Sequence, residues 1–221
     1  MKRILYIVCS SIILLTSCQS NSQTSKQAKA ANQEIQPVQV APVNGLERAY
    51  FASGCFWCVE AIYESVIGVK ESISGYSGGH TENPTYQSSN TGRTGHAEAV
   101  EIIYDPKVVS FSTLVNVYFG SQNPTQINGQ GPDRGSQYRS IIFYQNDEQK
   151  KIIEEKKEAL KKKLNRRIAA EILPFQKFWE GEGYHQDYEK RNPYNRYIQN
   201  VSIPRLKRFQ AKFPELIKKD H

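Results

Sequence analysis

From residue 48 onward the apolar positions fall into short runs of two different periods. Arg48–Ala52 (RAYFA), Glu98–Tyr104 (EAVEIIY), Tyr138–Tyr144 (YRSIIFY) and Ile168–Leu173 (IAAEIL) are brief and bounded by polar or turn-forming residues, which predicts strands. Cys55–Val66, Ser112–Phe119 and Asp147–Leu164 carry apolar residues at helical spacing, which predicts helices. In the last of these, Ile153, Leu160 and Leu164 mark the inner stripe, while acids and bases fill most other positions. Ser53-Gly54 is the turn between the first strand and the first helix, so Cys55 stands at a helix N-terminus. Two polar stretches, 75–96 (GYSGGHTENPTYQSSNTGRTGH) and the Gly/Pro-rich segment leading to Asp133, are too turn-prone for core elements and read as site-forming loops. Strands and helices alternate around them without the Gly-rich phosphate fingerprint of a dinucleotide fold. The expected class is therefore α+β, with helices packed on a mixed or antiparallel sheet.

The first residues follow another pattern. Lys2 and Arg3 precede an apolar run, Ile4–Leu15, that is too short for a typical spanning helix, and Leu15-Thr16-Ser17-Cys18 follows. Residues 1–17 read as a signal peptide, and the four closing residues resemble a bacterial lipobox, which implies cleavage before Cys18 and lipidation of its thiol. The expected location is extracytoplasmic, with the membrane reached through that lipid. Residues 18–45, rich in Gln, Ser, Asn, Ala and Lys, are expected to form a flexible tether, and 46–221 the single folded domain that 221 residues allow. The formal charge of +7 drops by two with the loss of Lys2 and Arg3. Much of the remainder sits in Lys150–Arg167, read as the solvated face of an amphipathic helix, so no nucleic acid partner is expected. A monomer is expected.

Cysteine usage narrows the chemistry. Of four cysteines, Cys9 lies in the discarded run and Cys18 is the lipid site, which leaves Cys55 and Cys58 in the domain. A thiol in the first helical turn gains from the partial positive charge and free N–H groups there, so its thiolate forms more easily. Phe56 and Trp57 directly after it suit the walls of a small apolar pocket for a methyl or thioether group. Cys58, one turn on, lies within disulfide reach of Cys55. By themselves the two thiols fit a structural disulfide or a thioredoxin-like dithiol as well. The disulfide would close a very small loop and constrain little unfolded chain, and the two bulky aromatics are unusual between redox thiols. Structural zinc lacks its other ligands, because His80, His96, His185 and His221 are scattered.

Five ordered segments decide between these readings: GCFWCVEAIYESVIGV, GYSGGHTENPTY, GHAEAVEIIYDP, NPTQINGQGPDRGSQYRS and EGYHQDY. Together they resemble the class A peptide-methionine (S)-S-oxide reductases over about Leu46 to Phe209. The resemblance implies a ferredoxin-like α/β sandwich core with long active-site loops, and a thiol enzyme that needs no metal, flavin or nicotinamide. It makes Cys55 the nucleophile and Phe56 and Trp57 the pocket for the substrate methyl. Glu98 then protonates the sulfoxide oxygen, Tyr86 and Tyr138 donate hydrogen bonds to it, and Asp133 orders the site. His185 and Asp187 are assigned structural support. The implied substrates are oxidised proteins or peptides, and the implied reductant is a thioredoxin-like dithiol. Two departures stand out: Gln122-Asn123-Pro124 replaces a common His-Asp-Pro, and no cysteine follows Cys58. Cysteine arithmetic then points to Cys58 as the resolving thiol, the alternative being a small buried Cys58 and a reductant thiol that attacks the sulfenic acid directly.

Overall fold

The computed structural model describes residues 35–219. The signal peptide expected at 1–17, the lipid site Cys18 and the tether up to residue 34 lie outside the described residues. Among those described, no helix is long and apolar enough to cross a membrane.

The chain runs β1 (Glu47–Ser53), α1 (Phe56–Glu64), β2 (Val69–Ser77), α2 (Tyr86–Asn90), β3 (Ala97–Tyr104), α3 (Phe111–Gly120), the short hairpin β4 (Gly129–Gln130) and β5 (Asp133–Arg134), and β6 (Ser140–Tyr144). It continues with α4 (Asp147–Leu164), β7 (Glu171–Pro174), β8 (Phe178–Glu180), α5 (Tyr188–Arg191) and α6 (Ile203–Lys212). Six strands form one sheet in the order β7-β6-β1-β3-β2-β8. Every pairing is antiparallel except β6 with β7, so the sheet is mixed. Its inner strands β6-β1-β3-β2, linked by α1 and α3, follow the split βαβ order of a ferredoxin-like core.

Period-two alternation assigns the two faces. Ala49 and Phe51 of β1 and Val100, Ile102 and Tyr104 of β3 join the larger core with α1 and α3, whereas Tyr50, Ala52, Ala97 and Ala99 point into a smaller core closed by Phe175. Glu98 shares the parity of Val100, so it faces α1 and is buried there. That single register puts a carboxyl beneath the helix that begins beside Cys55.

Two expectations are corrected. Residues 75–96 are not all loop: β2 extends through Ser77, and the stretch contains α2, whose first residue is Tyr86. β2 (VKESISGYS) is rich in serine and flanked on its outer side by β8, so most of its buried positions, Ser72, Ser74, Gly75 and Ser77, are small and show no apolar period. The tether also ends earlier than residue 45. The Val38 N–H donates to the Phe175 carbonyl at 2.7 Å, the Val40 N–H to Gln145 Oε1 at 2.9 Å, and Val40 packs on the smaller core. Val40 is the apolar residue of this segment that packs on the smaller core, a single position that the polar composition around it conceals.

Candidate active site

The β1–α1 junction creates the reactive position. Gly54 adopts φ +86°, and a Cβ there would lie 2.5 Å from Gln130 Cβ, so glycine is the residue this turn accommodates. Cys55 follows as the N-cap of α1, with no side-chain capping bond of its own. The first free amide of the helix is instead taken by the carboxyl across the gap: the Phe56 N–H donates to Glu98 Oε2 at 3.0 Å. Burial raises Glu98 to about 8, the Phe56 amide opposing and Asp133 and Cys58 adding to it, so the carboxyl is protonated at neutral pH.

Both thiols are free, buried, and hydrogen-bonded to one another. Burial, then Cys58 and Glu98, pushes Cys55 well above the ordinary thiol range. The hydrogen bond from Cys55 brings Cys58 down to about 7 against its burial, with help from Arg205 and the hydroxyls of Ser202 and Tyr197. Burial thus opposes ionisation of Cys55, while Arg205 and the neighbouring hydroxyls favour a thiolate on Cys58. At the helix terminus expected to favour the Cys55 thiolate, Glu98 occupies the Phe56 amide.

The other expected residues converge on the same place. Tyr86 and Tyr138 both pack against the larger core beside the dithiol, and both are raised by burial and by the charges of Glu98 and Cys55. Phe56 is fully buried against Tyr76, Tyr86 and His185, with ring centroids at 5.8, 6.3 and 4.8 Å. Trp57 stacks on Tyr188 at 3.8 Å and donates its indole N–H to His185 Nδ1 at 3.1 Å. Burial lowers the His185 pKa, which keeps the ring neutral and Nδ1 free to accept. His185 thus fixes the aromatic wall, in keeping with a supporting role. Asp187 also supports: its N–H donates to Glu60 of α1.

Asp133 reaches the dithiol through a residue that the motif reading passed over. Tyr197 donates to Asp133 Oδ2 at 2.7 Å, and its hydroxyl lies 3.7 Å from Cys58 Sγ. Arg205, also missed, is buried in α6 and bonds the Ser53 and Ser121 carbonyls at 3.0 and 2.9 Å, tying the β1 turn to α3. The signal was available: Ile203, Leu206, Phe209 and Phe213 recur at helical spacing around Arg205. Gln122, the departure noted above, accepts from Ser140 Oγ at 2.8 Å and Gln130 Nε2 at 3.1 Å, so an amide holds this loop.

Among the described residues, the grouping with metal-ligand geometry is Glu60, Glu64 and Asp187. It contains neither cysteine, and Glu60 is already engaged by Ser74 and the Asp187 amide.

A buried thiol pair, a protonated carboxyl and two tyrosine hydroxyls around an aromatic wall form a constellation suited to a polar oxygen on an apolar group. The family model described as peptide methionine sulfoxide reductase matches residues 47–217. The chain belongs to the peptide methionine sulfoxide reductase family. Curated peptide methionine sulfoxide reductases of Pasteurella multocida and Saccharolobus solfataricus are 45% and 43% identical over 172 and 173 residues. Each match covers 78% of this chain, with 99% and 98% of the respective relative. The fold agrees with solved members. Methionine sulfoxide reductase A of Corynebacterium diphtheriae superposes with a TM-score of 0.64 at 35% identity, covering 72% of this chain and 83% of that one. Reduced Mxr1 of Saccharomyces cerevisiae gives 0.66 at 31% identity, covering 73% and 93%.

Proposed function

We propose that this reductase acts on the S epimer of methionine sulfoxide in exported proteins, with Cys55 as nucleophile and Cys58 as resolving thiol. The observation that carries the reading is the buried Glu98 carboxyl held at 3.0 Å by the Phe56 amide, at the N-terminus of the helix that bears the two free, buried thiols Cys55 and Cys58. Phe56 and Trp57 receive the substrate methyl. Tyr86, Tyr138 and Glu98 hold the sulfoxide oxygen, and Asp133 positions Tyr197 beside Cys58. Cys55 attacks the sulfoxide sulfur as its proton passes along the hydrogen bond to Cys58, and Glu98 protonates the oxygen. Collapse releases methionine and leaves a sulfenic acid on Cys55. Cys58 then displaces its hydroxyl as water, forming a Cys55–Cys58 disulfide that a thioredoxin-like dithiol reduces. Two electrons move from the thiols to the sulfoxide, and no resident cofactor enters the balance.

The test is turnover on each separated epimer with a dithiol reductant. Reduction of the S epimer with little action on the R epimer is expected, and equal rates on both would reject the assignment.

The same proposal places the domain outside the cytoplasm on a lipidated Cys18, a reading supported by the Leu15-Thr16-Ser17-Cys18 sequence. Cys18→Ser is expected to release an active enzyme from the membrane fraction. An unmodified Cys18 thiol in the intact mass of the mature protein would overturn it.

A further inference from the structure

A cavity of about 730 Å³ approaches the dithiol from a side that the proposed cycle leaves unused. Cys58 is part of its wall, whereas Phe56, Trp57, Tyr86, Glu98 and Tyr138 are not. α6 turns one stripe toward it: Arg205, Arg208 and Lys212, spaced three and four residues apart. The stripe has a gradient of depth. Arg208 and Lys212 are exposed, and Arg205 is buried. The hydrogen bonds of Arg205 run to neutral oxygens of Ser121 and Ser53, and no carboxylate forms an ion pair with it among the described residues. Asp133 is the one acid of the lining, and burial raises its pKa. Much of the remaining polar wall is amide, from Gln122, Asn123, Gln126, Gln130 and Asn200. The cavity is therefore a positively biased entry that has a sulfur in its wall.

We propose that this cavity admits an anionic low-molecular-weight thiol, one that carries carboxylate groups, and that this thiol reduces the Cys55–Cys58 disulfide by attack at Cys58 Sγ. The inference rests on the reading that Cys58 is the resolving thiol, and adds a route of reduction beside a protein dithiol. The incoming thiolate forms a bond to Cys58 Sγ and breaks the Cys55–Cys58 bond. Cys55 leaves as a thiolate and takes a proton from Glu98, whose carboxyl is bonded to the adjacent Phe56 amide. A second thiolate attacks the sulfur of the bound thiol, which departs as the symmetrical disulfide. Cys58 returns as a thiolate facing Arg205. Two small thiols are oxidised and one protein disulfide is reduced.

The cations act twice: they raise the local concentration of an anion, and they favour the thiolate over the thiol. A neutral thiol loses the first benefit, and a cationic thiol meets repulsion.

A charge series tests the proposal in two steps. First, a single turnover without reductant is followed by peptide mapping; a Cys55–Cys58 disulfide upholds the reading beneath the proposal, and its absence removes that reading. Second, the oxidised enzyme is reduced with mercaptosuccinate, 2-mercaptoethanol and cysteamine. Each rate is corrected for thiolate fraction and for the same thiol's rate on a free neutral disulfide. The order mercaptosuccinate, 2-mercaptoethanol, cysteamine is expected, spanning about tenfold or more at low salt and shrinking at high salt. Arg208→Ser with Lys212→Ser is expected to flatten the order, lowering the mercaptosuccinate rate several-fold more than the 2-mercaptoethanol rate. As a readout apart from turnover, Cys58 in Cys55→Ser is alkylated with iodoacetate and iodoacetamide. The iodoacetate preference, relative to free cysteine, is expected to rise in the cavity and to fall in the double serine variant. A disulfide that forms but is reduced without regard to thiol charge would overturn the proposal. So would an iodoacetate preference equal to that of free cysteine.

Discussion

Replacing Glu98 by glutamine separates the chemistry of this carboxyl from its cost to the fold. The amide keeps the shape and an acceptor for the Phe56 N–H, which now lies 3.0 Å from Glu98 Oε2, but has no acidic proton to give. Loss of such an acid slows a reaction by about 10²–10⁴-fold, and that loss is expected in the sulfoxide-reduction step. Burial raises Glu98 from 4.5 to about 8. In the wild type the reduction step should therefore fall as pH rises through about 8, a limb that the variant lacks. Stability should move the other way. A carboxyl whose folded pKa exceeds its unfolded value leaves the fold unburdened below pH 4.5 and burdens it increasingly as pH climbs to about 8. At pH 7 the difference is on the order of 3 kcal/mol, from about 1.4 kcal/mol per pH unit above the unfolded pKa. Glu98→Gln should then melt several degrees above wild type at pH 7 and match it near pH 4. Rapid-quench kinetics and calorimetry across pH measure the two effects. A loss of the reduction step below about threefold, or an unchanged alkaline limb, would refute the assignment of the acid.

Other changes probe the remaining parts. Cys58→Ser should still release methionine once, then hold a Cys55 sulfenic acid detectable by mass and recycle poorly with a dithiol; wild-type turnover in that variant would exclude Cys58 as the resolving thiol. Tyr197→Phe removes the hydroxyl between Asp133 and Cys58, so disulfide formation in a single turnover should slow about fivefold or more, at about 1 kcal/mol for the lost hydrogen bond, while methionine release changes less. Gly54→Ala must accommodate both φ +86° and a contact with Gln130, so urea unfolding should show a loss of at least about 1 kcal/mol.

Local pattern carried much of this fold. β1, β3 and α4 have clear periods, and α4 spans the expected Asp147–Leu164. β2 was hidden because its buried residues include Ser72, Ser74 and Gly75, which contribute no apolar period and are covered by the chain around Phe178 and Trp179. At the site, ordered motifs brought Cys55, Glu98, Tyr86, Tyr138 and Asp133 to one place, but motifs do not report protonation. The electrostatics of the thiol pair depend on Glu98 taking the Phe56 amide and on the charge of Arg205 acting on Cys58, interactions that span 42 and 147 residues. Tyr197 escaped notice for a related reason. It lies in a polar, turn-rich segment, NPYNRY, and gains its meaning only when that segment folds back on α1.

The central claim is that sulfoxide oxygen leaves at the expense of these two thiols. It is tested most directly by one turnover with excess methionine S-sulfoxide, no reductant, and thiols counted together with methionine released. The account predicts about one methionine per chain with loss of both free thiols of the folded domain and a Cys55–Cys58 disulfide on peptide mapping. Methionine released while Cys55 and Cys58 both remain free would contradict it.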